Sequence, residues 1–276
     1  MSLSRRQTVT ALAAVLPAAT ALTAHPAAAA ARPPAGPRTL YIAGDSTAAR
    51  KYADAAPETG WGMALPFFLG PHLRVANHAV NGRSSRSFLD EGRLAPILAA
   101  LRPGDLLLIQ FGHNDQKTED PTRHTEPWTS YREHLLRYVT GARARGARPV
   151  LLTSVERRRF ATGGGAVPTH GEYPAAMRAL AADHGVDLVD VQAASLALWG
   201  RLGPEASKEH FLWLAPGESP NHPDGKQDNT HFRPRGAIEV ARMVAAGLCR
   251  TRVLRPGDTR RLDADVPPGR ITWPHA

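Results

Sequence analysis

The chain has 276 residues, of which 42% are hydrophobic, and 34 lysine and arginine residues against 25 acidic ones give a formal net charge of +9. This length suits one large α/β domain with a sizeable buried core. The arginines are scattered and form no basic run interleaved with aromatic residues, so no nucleic-acid partner is expected. The single cysteine, Cys249, excludes an intrachain disulfide and a cysteine-based metal site.

The start of the chain has the pattern of a secretory signal. Two arginines at positions 5 and 6 precede an apolar run over residues 9–24, and an alanine tract at 27–31 offers small-residue cleavage sites. We therefore expect a signal peptide over residues 1–31 and a secreted protein, exported by the twin-arginine or the general secretory route. An alanine-rich cytoplasmic helix is the alternative. The run is short and weakly apolar, so no stable membrane association is expected.

Three further segments follow the signal. Residues 32–38 form a Pro-rich spacer, and residues 39–250 form the predicted folded domain. Residues 251–276 are rich in proline, arginine and aspartate and lack helical periodicity. This C-terminal tail is either ordered over the domain or loose.

Short apolar runs alternate with segments of helical period along the predicted domain. Strands that alternate with helices pair in parallel through right-handed crossovers, with helices covering both faces of the sheet. The fold class is therefore α/β, with three layers and a five-stranded parallel sheet. The strand candidates are residues 39–43, 73–80, 106–111, 150–155 and 186–191.

Three polar or glycine positions follow consecutive predicted strands: Ser46, Gly82 and Asn114. In a parallel sheet such positions meet at the carboxyl edge, where binding sites form. Near the C-terminus, Asp228 and His231 are three residues apart, close enough for one turn to present both. A hydroxyl becomes a good nucleophile when an imidazole takes its proton, and a carboxylate can fix the imidazole tautomer. The sequence therefore predicts a serine hydrolase.

The four separated segments that carry Ser46, Gly82, Asn114 and His231 resemble those of the SGNH subgroup of the GDSL hydrolases. Four sequence blocks resemble, more narrowly, the rhamnogalacturonan acetylesterase branch of that subgroup. The similarity spans roughly residues 40–248. The blocks are Gly-Trp-Gly at residues 60–62, Asn-His-Ala-Val-Asn-Gly-Arg-Ser-Ser-Arg-Ser-Phe at 77–88, Gln-Phe-Gly-His-Asn-Asp at 110–115, and residues 220–232.

The resemblance implies a flavodoxin-like α/β/α fold and removal of acetyl groups from pectic polysaccharide. It implies Ser46 as nucleophile, His231 as general base and acid, and Asp228 as the group that orients His231. The implied oxyanion hole consists of the Ser46 and Gly82 backbone N–H groups and the Asn114 side-chain amide. Asn81 departs from the small residue that the branch often has before this glycine, which affects the expected shape of the acyl pocket.

Other polar and aromatic residues are candidates for a sugar-binding groove, although each also has an ordinary structural explanation. No cofactor and no metal are expected, and the expected partner is an acetylated polysaccharide bound by a monomer. The candidate groove residues are Trp61, Arg83, Arg86, His170 and Tyr173.

Several alternatives remain open from the sequence. Within the serine esterases, the substrate could be acetylated xylan, another acetylated glycan or a small ester, because loop shape decides polymer choice. A non-catalytic carbohydrate-binding protein is a second class. A metal-dependent hydrolase is a third, because a group of possible ligands occurs in one part of the chain: His210, His222, Asp224, Asp228 and His231.

Overall fold

The computed structural model describes residues 37–275 together with Met1. The predicted signal peptide and most of the Pro-rich spacer lie outside these residues. Residues 37–275 all belong to one compact unit. No helix among the described residues is both long and apolar enough to cross a bilayer.

A five-stranded parallel sheet forms the centre of the domain, as the apolar runs predict. Its strand order is β2-β1-β3-β4-β5, so β3 lies at the centre between β1 and β4, and β2 and β5 form the edges. The strands are β1 (Arg38–Gly44), β2 (Leu73–Asn77), β3 (Leu106–Gln110), β4 (Arg148–Leu152) and β5 (Asp187–Val189).

Alternate residues of each central strand contact opposite helical layers, because successive strand side chains point to opposite faces. In β1, Leu40 and Ile42 join one apolar cluster, whereas Tyr41 and Ala43 join the other. Both faces of the sheet are therefore covered, which confirms the three-layer architecture. The first layer contains α1 (Trp61–Ala64), α6 (Val191–Ala206) and α7 (Pro234–Arg250), and the second contains α2 (Ser85–Asp90), α3 (Leu94–Ala100), α4 (Arg132–Ala144) and α5 (Tyr173–Asp183).

A separate antiparallel pair, β6 (Phe211–Leu214) and β7 (Lys226–Phe232), precedes α7. The sequence predicted only a turn around Asp228 and His231, whereas the structure places both on β7. A backbone hydrogen bond of 2.9 Å from Thr59 to the Phe232 carbonyl ties the end of β7 to the segment before α1. This contact holds β7 beside the carboxyl edge of the main sheet.

The C-terminal tail packs along the α7 side of the domain over residues 251–275. Four of its apolar side chains are buried in the same cluster as α7: Val253, Leu254, Val266 and Ile271. Asp258 forms an ion pair of 2.6 Å with Arg38 and a hydrogen bond of 2.8 Å with His72. The tail is therefore ordered and joins the first and last parts of the domain.

Candidate active site

Ser46 lies in a tight turn that follows β1. The backbone N–H groups of Ala48 and Ala49 both donate to the Asp45 carbonyl, so the chain turns sharply just beyond the strand. Ser46 is nearly buried, with 8% of its surface exposed. The turn places the hydroxyl at the carboxyl edge of the sheet, where sites form in parallel α/β proteins.

Two glycines allow the start of α1 to pack directly behind this turn. A Cβ atom on Gly60 would lie 1.9 Å from the Ala49 carbonyl oxygen, and one on Gly62 would lie 2.6 Å from the Ala48 carbonyl oxygen. The Gly62 N–H donates to that same Ala48 carbonyl at 3.2 Å. The Gly-Trp-Gly block is thus required by backbone packing behind Ser46.

A continuous hydrogen-bond chain joins Ser46, His231 and Asp228. Ser46 Oγ lies 2.8 Å from His231 Nε2, and His231 Nδ1 lies 2.7 Å from Asp228 Oδ2. The other Asp228 oxygen accepts backbone N–H groups from Thr230 at 2.7 Å and His231 at 3.0 Å. A carboxylate in this position holds the proton on Nδ1, which leaves Nε2 to accept the serine proton.

The Asp228 carboxyl stays ionised in this setting. Partial burial alone would raise its pKa, but the hydrogen bond and charge of His231, with the His231 and Thr230 backbone donors, lower the pKa of Asp228 to about 2. The carboxylate is therefore charged at every pH above about 3 and can stabilise an imidazolium on His231.

The three expected oxyanion donors follow the neighbouring strands β2, β1 and β3. Within residues 37–275, neither the Ser46 nor the Gly82 backbone N–H has a protein acceptor. Gly82 has φ +75°, a conformation that favours glycine. One N–H of the Asn114 amide donates to the Arg83 carbonyl at 3.0 Å, which leaves its second N–H available. Each of the three positions therefore has an N–H donor that no described protein group accepts.

Asp115 fixes the two loops that carry Gly82 and Asn114, a role that sequence reasoning missed. Its fully buried carboxylate accepts from the Ser85 backbone N–H at 3.0 Å and the Thr125 hydroxyl at 3.1 Å. Burial raises the pKa of Asp115 to about 7, although the Ser85 and Thr125 donors act in the opposite direction. Asp115 therefore locks the start of α2 against the loop after β3.

Asp45, the carboxylate next to Ser46, is bonded to Thr47 and Gln110 and not to His231. It accepts from the Thr47 backbone N–H at 2.9 Å and the Thr47 hydroxyl at 2.7 Å, and Gln110 donates to its second oxygen at 3.2 Å. Its contacts stabilise the turn around Ser46. Gln110 was also missed, and its signal was a polar residue within the otherwise apolar run 106–111.

Three of the five expected groove residues are buried and bonded to protein groups. Trp61 is 1% exposed and donates to the Gln110 side chain at 2.7 Å. His170 is fully buried, with Nε2 2.9 Å from the Val155 carbonyl, and the Tyr173 hydroxyl donates to backbone carbonyls. Their tertiary partners therefore turn these side chains inward, and they do not line an open groove as expected.

Arg83 and Arg86, in contrast, have partly exposed side chains on the loop and helix after Gly82. Arg83 pairs with Glu91 at 3.0 Å and donates to the Asn81 carbonyl at 2.9 Å. Arg86 makes a longer contact of 3.4 Å with Asp90. Both remain accessible to a ligand over the site.

His113 packs beneath the site. Its ring meets His170 edge to face at 4.4 Å between centroids, and neither of its ring nitrogens has a partner among residues 37–275. Burial lowers the pKa of His113 well below its usual value, so the ring is neutral. A neutral buried ring suits a supporting role beside Asn114.

The five possible metal ligands of the sequence do not converge. Within the described part of the chain, no group of three or more histidine, cysteine, aspartate or glutamate residues is placed to hold a metal ion. Two of the five, Asp228 and His231, are bonded to each other, and His231 is also bonded to Ser46.

Comparison with known proteins gives consistent matches. Residues 42–237 match the GDSL-like lipase/acylhydrolase family. The chain is 45% identical over 212 residues to rhamnogalacturonan acetylesterase RhgT of Bacillus subtilis, which covers 77% of this chain and 90% of the relative. It is 39% identical over 209 residues to the probable rhamnogalacturonan acetylesterase YesY of the same organism, covering 76% and 91%.

Solved structures share the fold. The crystal structure of YxiM from Bacillus subtilis matches with a TM-score of 0.67 and 29% identity, over 78% of this chain and 57% of that longer one. Axe2, an acetylxylan esterase from Geobacillus stearothermophilus, matches with a TM-score of 0.53 and 18% identity, over 78% and 94%. At that identity the second likeness concerns the fold alone.

Proposed function

The chain belongs to the GDSL-like lipase/acylhydrolase family and is an ester hydrolase, and we propose that it removes O-acetyl groups from rhamnogalacturonan through an acetyl-serine intermediate. The proposal rests on the Ser46–His231–Asp228 hydrogen-bond chain, in a protein 45% identical to a rhamnogalacturonan acetylesterase.

The proposed reaction has two steps. His231 takes the Ser46 proton as Oγ attacks the acetyl carbonyl, and the oxyanion is held by the N–H groups of Ser46, Gly82 and Asn114. The C–O bond to the sugar breaks, and the sugar oxygen leaves with the proton from His231. Water then attacks the acetyl-serine with His231 as base, which releases acetate and restores the Ser46 hydroxyl.

We further propose that the enzyme acts outside the cell, delivered by the signal predicted over residues 1–31. Polymeric pectin is too large to enter a cell, so an enzyme that deacetylates it must meet it outside. The absence of any cysteine besides Cys249 suits export by either route, because the fold needs no disulfide.

Acetate release from a panel of acetylated rhamnogalacturonan, homogalacturonan, xylan and mannan tests the substrate. We expect the highest kcat/KM on rhamnogalacturonan, and a clear preference for xylan or mannan would overturn the substrate while leaving the ester chemistry intact. Added EDTA should leave the rate unchanged. Activity lost to EDTA and restored by zinc would contradict the serine mechanism.

The nucleophile is tested with p-nitrophenyl esters. We expect fast hydrolysis of the acetate, much slower hydrolysis of long-chain esters, and loss of both in Ser46→Ala, by about 10⁶-fold in kcat if the three residues act as a unit. Ser219→Ala, at another nearly buried serine outside the hydrogen-bond chain, is the matched control. Unchanged turnover in Ser46→Ala would refute the assignment.

A further inference from the structure

An open cleft of about 780 Å³ lies at the β2 edge of the sheet. One wall comes from residues 49–55, which begin three positions after Ser46. The opposite wall comes from residues 75–81, which end one position before Gly82. Both walls therefore continue the segments that carry the proposed nucleophile and one oxyanion donor, so a chain bound in the cleft leads directly to the site.

A buried lysine joins the two walls. The Lys51 side chain is 1% exposed, and its ammonium contacts Asn81 Oδ1 at 2.6 Å and Glu58 Oε1 at 2.6 Å. An ammonium has three N–H donors, and residues 37–275 accept only these two. Lys51 also lines the cleft. The Asn81 side chain faces this lysine, which explains the departure from the small residue expected before Gly82.

The cleft carries more positive than negative side chains. Arg50 is exposed and has no acidic partner among residues 37–275, and it also lines an adjoining depression of about 410 Å³ that ends at Trp273. Arg93 lines the cleft as well and shares a single carboxylate, Glu91, with Arg83. Asp54 is the one acidic side chain among residues 37–275 that lines the cleft. A planar guanidinium without a partner suits a carboxylate in a bidentate pair.

An exposed aromatic ring stands at the same place. Tyr52 lines the cleft and is 40% exposed, unlike most large apolar side chains of the described residues. An aromatic ring at a polar cleft can cover the apolar face of a ligand ring while its hydroxyl remains in water. The cleft thus combines a ring surface, an unpaired guanidinium and a buried ammonium with a spare donor.

We propose that this cleft is a subsite for a uronate residue of the bound glycan, with Arg50 on the sugar carboxylate, Lys51 on a sugar hydroxyl and Tyr52 against the sugar ring. The subsite lies beside the acetylated residue, because its walls end next to Ser46 and Gly82. This inference rests on the function proposed above and adds to it that a carboxylate near the acetyl group is recognised directly.

The test compares one acetylated oligosaccharide with free carboxylates and the same oligosaccharide after reduction of those carboxyls to neutral alcohols. We expect the wild type to prefer the acidic form by at least tenfold in kcat/KM, and added salt to reduce the preference. In Arg50→Gln the preference should fall by about tenfold, as expected for loss of one charge-assisted hydrogen bond. Tyr52→Ala should raise KM for both forms.

Arg145→Gln is the matched control. Arg145 is equally exposed but lies at the end of α4, near the amino ends of the strands and away from the site, so the same charge change should leave the preference intact. If Arg50→Gln and Arg145→Gln keep equal preferences for the acidic form, the subsite is not at Arg50 and the proposal is overturned.

A binding measurement separates this proposal from the proposed reaction. Trigalacturonate is titrated into Ser46→Ala and into Ser46→Ala combined with Arg50→Gln or Arg145→Gln. We expect about tenfold weaker binding only in the Arg50 combination. Equal binding in all three would overturn the subsite, whatever the activity. If no acetylated glycan is a substrate but this difference is seen, the subsite stands and the proposed function fails.

Discussion

The carboxylate of Asp228 has two separate tasks, because each oxygen serves a different set of donors. Oδ2 meets the His231 ring, whereas Oδ1 accepts the Thr230 and His231 backbone N–H groups. The same side chain therefore sets the tautomer of His231 and the local backbone that presents it.

Asp228→Asn should lower kcat on p-nitrophenyl acetate by about 10³–10⁴, because an amide no longer fixes the productive tautomer. Asp224→Asn, at an exposed aspartate of the same segment, should change kcat by less than twofold. Because the pKa of Asp228 is about 2, this carboxylate stays ionised between pH 5 and pH 4. Activity that the wild type loses over this range therefore has another cause. The ratio of wild-type kcat to Asp228→Asn kcat should stay constant from pH 5 to pH 4. A deficit below tenfold would show that Asp228 does not orient His231.

At the scale of the element, helix α1 is held unusually close to the turn around Ser46. At Gly60 the contact is backbone against backbone, whereas a Cβ on Gly62 would meet both the Asn77 side chain at 2.4 Å and the Ala48 carbonyl oxygen at 2.6 Å. Trp61 between them then fills the space under the turn and donates to Gln110. The helix thus acts as a rigid support for the turn that carries Ser46.

Gly60→Ala should destabilise the protein by about 2–4 kcal/mol, because a Cβ 1.9 Å from the Ala49 carbonyl forces the turn and the helix apart. Gly163→Ala, where an added Cβ meets nothing within 4 Å, should stay within about 0.5 kcal/mol of the wild type. Urea unfolding of both variants measures the difference. Equal midpoints for the two would mean that the backbone contact is not tight in solution.

The main sheet and the order of its site residues could be predicted from the sequence, because continuous apolar runs mark strands buried on both faces. Strand β7 could not, since its residues are mostly polar and partly exposed and show no clean alternation. Trp61 and His170 face inward because they bond to the Gln110 side chain and to the Val155 backbone carbonyl. Both partners lie far along the chain, and no local sequence pattern indicates either contact. The link from Lys51 to Asn81 is likewise a tertiary contact that periodicity does not encode.

At the scale of the whole molecule, the tail closes the domain on itself through Asp258. This carboxylate, with a side chain 9% exposed, contacts Arg38 at the start of β1 and His72 before β2, and it accepts the Arg255 backbone N–H. Burial alone would raise its pKa, but the Arg255, His72 and Arg38 donors lower the pKa of Asp258 to about 2. The ionised form is thus the one that stabilises the fold.

Asp258→Ala should reduce the free energy of unfolding at pH 7 by about 1–3 kcal/mol, whereas Asp263→Ala, at an exposed position of the same tail, should have little effect. A carboxyl whose pKa is lower in the folded state stabilises the fold at pH values above its unfolded-state pKa of about 3.9. This stabilisation is lost as the pH falls toward the folded-state pKa of about 2. The difference between wild type and Asp258→Ala should therefore be constant above about pH 5 and shrink below pH 4. A difference that grows at low pH would contradict this ion pair.

The two ends of the described chain lie at different distances from the cleft, which matters for attaching the enzyme to a support or a fusion partner. Trp273 donates to the Glu58 carbonyl and the Pro274 carbonyl accepts from Ala53, so the C-terminal end lies against the wall that holds Lys51. Arg38 begins β1 at the amino edge of the sheet, about 20 Å from Ser46 by strand length. We therefore expect an anchor joined before Arg38 to leave the proposed subsite open to a polymer, and an anchor joined after residue 275 to obstruct it.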